Sequence, residues 1–197
     1  WHQMGVILSA ASALDWFSRI VGATPHALDT ELGDTLKAPG SVTFLPYLSG
    51  ERTPYNDAKI RGVFSGLEHE TDRNAMTQAV LEGVAFAIRD NLVALQSAGT
   101  EIKSLIAVGG GSRSSYWLKS IATALNVPIS LPEEGDFGAA FGAARLGLIA
   151  ASGADPFAIC TPPRTARTIE PEQALISSYD EAYQRYHALY PAVRPLA

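Results

Sequence analysis

Cysteine is almost missing from this chain. Cys160 stands alone among 197 residues, so no internal disulfide can form, and the composition suits a reducing, cytoplasmic setting. Stretches rich in Lys and Arg are missing too, and the net charge of −5 is spread along the chain. Such a surface does not neutralise a phosphate backbone, so nucleic acid is excluded as the expected partner. No apolar run is long enough to cross a bilayer, because the longest candidate, residues 141–151, is short and broken by Arg145. The histidines His2, His26, His69 and His187 lack any His or Cys neighbour at ligand spacing. Each is therefore read as a surface or packing residue, and no metal site is predicted. The chain opens on Trp1, not Met, with neither a charged n-region nor a cleavage site. It reads as a piece of something longer.

Hydrophobic residues make up 47% and charged residues 18%, a globular balance. A chain of this length forms one large domain or two small ones and buries roughly 70% of its unfolded surface. Residues 1–8 read as a strand entering a helix near Ser9, with Ala10, Leu14, Phe17 and Val21 on one face and Gly22 and Pro25 as stops. Residues 42–48 form an extended apolar run that ends in the turn-rich SGERTPYND. Thr71 and Asp72 cap a long helix whose apolar face carries Met76, Val80, Val84, Ile88, Leu92 and Leu95, with Gly99 as its left-handed terminator. A strand at 105–108, a helix at 114–126 and a strand at 127–131 then form a β-turn-α-β unit, which predicts a parallel strand pair. The glycine- and alanine-rich helix at 136–151 predicts close approach to a neighbour, and 154–171 reads as a linker. The last helix carries Leu175, Tyr179, Tyr183, Tyr186 and Tyr190 at helical spacing, a face expected to pack on the core. Neither an internal repeat nor a low-complexity tract is present.

Residues 104–115, SLIAVGGGSRSS, carry the strongest chemical signal. A strand, a bare-backbone turn and a helix start whose amides are unpaired donors make a nucleotide seat. No lysine follows the glycines, which argues against a triphosphate cradle. Gly109, Gly111 and Ser114 give a dinucleotide fingerprint with its last glycine replaced, and Glu133 stands near the ribose-reading position. Gly110 and Ser112 begin a nucleophile elbow that again fails at Ser114. A glycine turn without a ligand is the fourth reading. The adjacent Glu51 and Arg52 form either an ion-paired prop or a cleft edge with Arg52 facing a phosphate.

Several stretches in order, WHQMGVILSAASALDW, FLPYLSGERTPYND with RGVFSGL, AVLEGVAFAIRDNL, VGGGSRSSYW and GAAFGAARLG, resemble the C-terminal domain of the FGGY carbohydrate kinases across nearly the whole chain. LSAASALDW and PYLSGERTP are most similar to the xylulokinase branch. The resemblance implies an α/β fold, the actin-like (ribonuclease H-like) ATPase domain, with a mixed sheet flanked by helices and incomplete at its N-terminal edge. It implies that residues 1–197 are the nucleotide-binding half of an ATP-dependent sugar kinase, acting on D-xylulose, without the sugar-binding domain. It places Gly110 and Gly111 behind adenine and ribose, Ser112 and Ser115 beside them at the helix start, and Ala11 and Asp15 on the opposite wall. A side chain at Gly111 is expected to enter the nucleoside's space. The nucleotide is ATP or ADP. The catalytic aspartate is expected outside this chain, as are most of the ligands for Mg²⁺; the chain alone should be inactive, and a homodimer is left open.

Overall fold

The computed structural model describes residues 2–133 and 138–197. Helix α3 (Arg73–Ser97) runs through its middle. Asp72 caps it by accepting the Ala75 amide at 2.8 Å, and Gly99 ends it with φ of +88°. The predicted single apolar face is only part of the picture, because every residue from 77 to 87 is buried. Helices α1 (Ala11–Val21), α2 (Pro25–Leu32), α4 (Ser115–Leu125) and α7 (Ile176–Val193) and strand β1 (Thr43–Leu45) all pack against α3. Polar positions that a lone amphipathic helix would turn to water are enclosed instead. At Gly83, strand β1 crosses so closely that a Cβ would lie 2.3 Å from the Phe44 carbonyl oxygen.

Glu82 is one of those enclosed positions, 3% exposed. Its Oε1 accepts from Gln78 Nε2 at 2.7 Å, and the Gly40 amide and the charge of Arg185 also favour its ionised form. Burial outweighs them and pushes the carboxyl from 4.5 up to about 8. The folded chain therefore keeps a proton that the unfolded chain releases. Stability from this group is full below about pH 4.5 and is lost as pH rises to about 8. Buried Glu51, pushed up to about 7, acts in the same direction. Glu82→Gln, which removes the charge and keeps an acceptor oxygen for Gln78, should flatten this fall. In urea unfolding at pH 5 and pH 8.5, the native chain should lose about 4 kcal/mol more than the variant. Parallel pH dependences would refute the account.

Strand β1 pairs antiparallel with β2 (Val63–Ser65), with Phe44 opposite Phe64. Trp16 of α1 stacks on Phe44 at 5.9 Å between ring centroids. Helix α7 lays its tyrosine stripe on this core as expected, and each hydroxyl finds a partner. Tyr186 meets Tyr47 at 3.0 Å, Tyr183 donates to Asp90 at 2.6 Å, Tyr179 to Ser120 at 3.2 Å and Tyr190 to Asp57 at 3.0 Å.

The second sheet is mixed. Strand β3 (Leu105–Ile106) runs parallel to β4 (Ile129–Pro132), which pairs antiparallel with β5 (Thr165–Ile169). A small cluster of Leu118, Ala122, Ile129 and Ile169 fastens it to α4. The parallel pair and its helix follow the sequence reading. Several other expectations do not hold. Residues 2–8 form no strand: Val6 and Thr53 exchange two bonds, at 3.1 and 3.0 Å, which is a single attachment and not a ladder. Pro25 opens α2 rather than only stopping α1, because Thr24 caps the Ala27 amide and proline's fixed φ suits a first helical turn. The supposed linker contains helix α6 (Pro156–Ile159) and strand β5, whose side chains are exposed except Ile169. Helix α5 (Gly138–Ser152) buries no residue, and a Cβ at Gly142 or Gly147 would meet nothing within 4 Å. Among the described residues, the predicted close contact through these glycines is thus not made. The expected start of that helix, at residue 136, lies outside the described residues, as does Trp1.

Candidate functional site

The three glycines after β3 are there for three different reasons. Gly109 has φ of +87°, a left-handed value that only glycine adopts at low cost. Gly111 lies over the indole of Trp117, where a Cβ would come within 3.1 Å of a ring carbon. A Cβ at Gly110 would meet nothing within 4 Å, so this stretch of main chain is bare toward open space. A 3₁₀ turn spanning Gly110–Arg113 separates the glycines from α4. Its amides are partly consumed: those of Ser112 and Ser114 donate to the carbonyls of Gly109 and Gly111 at 3.1 and 3.4 Å.

Ser114 is the hinge of the site. Its hydroxyl accepts the Trp117 amide at 2.9 Å, capping α4, and donates to Asp29 Oδ1 of α2 at 2.5 Å. Trp117 is nearly buried, and its Nε1 donates to the Leu81 carbonyl of α3 at 3.0 Å. The indole therefore ties the glycine turn to the central helix.

These contacts enclose a cavity of about 470 Å³. Gly110, Gly111, Arg113, Ser114 and Trp117 form one wall, Ala11, Leu14 and Asp15 of α1 another, and Pro25, His26 and Asp29 of α2 a third. Of the six residues singled out in the sequence, Gly110, Gly111, Ala11 and Asp15 thus meet at one cavity. Ser112 does not line it; its hydroxyl turns back to the Gly109 carbonyl at 2.7 Å. Ser115, the first residue of α4, does not line it either. Nor would a side chain at Gly111 simply project into the cavity, because the indole stands in its way.

Sequence reasoning missed Pro25, His26, Asp29 and Trp117. The available signal was Thr24-Pro25, a capping residue followed by the residue best suited to open a helix. That pair announced α2, and with α2 came His26 and Asp29. Among the described residues, no group of three His, Cys, Asp or Glu side chains could hold a metal ion.

Position bears on two alternative readings. Glu133 lines a separate cavity, with Val108, Phe141 and Arg145, so it is not the ribose partner of the glycine turn. Glu51 is buried, accepts the Thr53 amide at 3.0 Å and is also bonded by the Arg52 amide. Exposed Arg52 makes no ion pair among the described residues and does not line the glycine cavity. The prop is built from backbone amides, not from an ion pair.

The family model described as "FGGY family of carbohydrate kinases, C-terminal domain" matches residues 1–151. A xylulose kinase of Escherichia coli K12 is 38% identical over 97% of this chain and 38% of its own length. A crystal structure from Brucella ovis, described as a xyloylose kinase, is 86% identical with a TM-score of 0.94, covering 100% of this chain and 41% of that one. A xylulose kinase structure from Rhodospirillum rubrum is 29% identical with a TM-score of 0.81, covering 98% of this chain and 40% of that one. The chain spans about two-fifths of the length of the relatives it matches. No helix among the described residues is long and apolar enough to cross a membrane.

Proposed function

This chain belongs to the FGGY family of carbohydrate kinases, and from that premise we propose that it is the ATP-binding half of a sugar kinase that moves the γ-phosphate of ATP to a hydroxyl of D-xylulose, giving D-xylulose 5-phosphate. The observation that carries the reading is the single cavity joining Gly110 and Gly111 to Ala11 and Asp15, residues far apart in the sequence. Its size suits a nucleoside. Its walls carry Asp15 and Asp29 against Arg113, an acidic balance that disfavours a polyphosphate, so in this reading adenine and ribose lie inside and the phosphates point out.

Phosphoryl transfer asks a protein for positioning, charge stabilisation and exclusion of water. In the two-domain enzyme this half holds adenosine while domain closure brings the γ-phosphate to the sugar. The sugar site, the catalytic base and the ligands of Mg²⁺ belong to the remainder of the enzyme. Helix α5 supports that division, because Phe141, Leu146 and Leu148 on it are exposed apolar side chains that suit burial against further protein. A non-catalytic interaction module would carry an exposed apolar patch on the last helix, whereas the tyrosines of α7 are buried.

The test has two arms. The chain alone, given D-xylulose and Mg-ATP in a coupled ADP-release assay, should show no sugar-dependent turnover, against ~1–100 s⁻¹ for working kinases. It should bind ADP with Kd on the order of a millimolar, about −4 kcal/mol, because only adenosine contacts are present. Sugar-dependent turnover by the chain, or the absence of any ADP binding, would overturn the reading.

A further inference from the structure

We infer that Asp29 reads the exocyclic amino group of the purine base, and so sets the nucleotide preference of this site. The inference rests on the nucleotide reading above. Ser114 has one proton to give, and it goes to Asp29 Oδ1, while the Ser114 oxygen is occupied by the Trp117 amide. The carboxylate is thereby pinned to the cap of α4, and Oδ2 has no hydrogen-bond partner among the described residues. An ionised carboxylate accepts and never donates. A group fixed in this way on a cavity wall calls for a ligand that donates.

A nucleoside brings two kinds of donor, amino groups on the base and hydroxyls on the ribose. The surroundings favour the base. Asp29 stands one turn along α2 from Pro25, and both line the cavity with Leu14 and Trp117. Those apolar surfaces suit a planar ring. The bare main chain of Gly110 and Gly111 continues the Trp117 wall, where a sugar can press against the backbone. A base seated between Pro25 and Trp117 presents its amino edge to Asp29.

The experiment compares four nucleotides by NMR titration of the 197-residue chain: ADP, purine riboside 5′-diphosphate (ADP without its 6-amino group), 2′-deoxy-ADP and GDP. ADP should bind about tenfold tighter than the amino-free analogue, the worth of one hydrogen bond to a charged group. Asp29→Ala should bring that ratio to about one by weakening ADP alone. Ser114→Ala removes the strap but leaves the carboxylate, and should still prefer ADP at least threefold. A merely structural Asp29 would weaken both ligands alike and leave the ratio untouched. If the alanine variant fails to fold, Asp29→Asn serves, and its neutral amide should lower the ratio by about threefold. Equal affinity of the native chain for ADP and its amino-free analogue overturns the inference. So does a loss confined to 2′-deoxy-ADP, which would put Asp29 on the ribose, or GDP binding tighter than ADP. Binding of ADP without discrimination leaves the nucleotide site standing and sinks only the role of Asp29, whereas no binding of any nucleotide sinks both.

Discussion

Trp117→Ala should lower the stability of this chain by about 4 kcal/mol, in the range for removing a buried aromatic side chain. For a chain of this size that corresponds to a fall in Tm of roughly 10 °C. Trp117 is only 5% exposed and belongs to the main core cluster. Its loss leaves a void between α4 and α3 and removes the Nε1–H donated to the Leu81 carbonyl. The effect should extend to the site, since the indole supports Gly111 from below. ADP binding should therefore weaken along with stability. Trp117→Phe keeps an aromatic ring but no N–H, and should cost only about 1–2 kcal/mol. Calorimetric melting of the three proteins provides the check. An alanine variant that melts within about 2 °C of the native chain would show that the indole does not hold the glycine turn in place.

Gly110→Val and Gly111→Val should part company, although the residues are adjacent. At Gly110 a Cβ would meet nothing of the protein within 4 Å, and the residue lines the cavity. In the whole enzyme that change should raise KM for ATP about tenfold or more, with KM for the sugar unchanged, and should leave the melting temperature nearly where it was. At Gly111 the new Cβ presses on the Trp117 ring at 3.1 Å, an overpacking that costs about 1–3 kcal/mol. Its main effect should be on stability, with loss of ATP affinity following from the displaced indole. Steady-state kinetics with each substrate varied in turn, together with thermal melts, separates the two. If Gly110→Val leaves KM for ATP unchanged in a folded enzyme, the nucleoside does not lie against this turn.

Much of the scaffold around the site is legible in short stretches of sequence. Asp72 and Gly99 bound α3 because capping is a local matter of one side chain or one left-handed residue. Strand β3, α4 and β4 follow from an apolar run, a Ser114 cap, an Asn126 in left-handed conformation and a second apolar run. The tyrosine stripe of α7 is legible as well, since helical spacing alone brings those rings to one side. Strand β5 is not: five mostly exposed residues among prolines carry no apolar alternation, and only pairing with β4 makes them a strand. The burial of Glu82 and Asp90 is equally hidden, because nothing local says that a helix will be covered on every side.

The sequence by itself determined the family and the bare backbone at Gly109–Gly111, and the resemblance to that family implied that the turn faces Ala11 and Asp15. Motif order and glycine's missing side chain are properties of the chain read in one dimension. Only the tertiary structure decided which residues face the cavity. It turned Ser112 back onto its own loop, brought Asp29 and His26 of α2 to the cavity, and set Trp117 beneath Gly111. The physical reason is that a cavity wall is assembled from elements distant in sequence. Which side of each element faces inward depends on how the elements pack, and no single stretch contains that information.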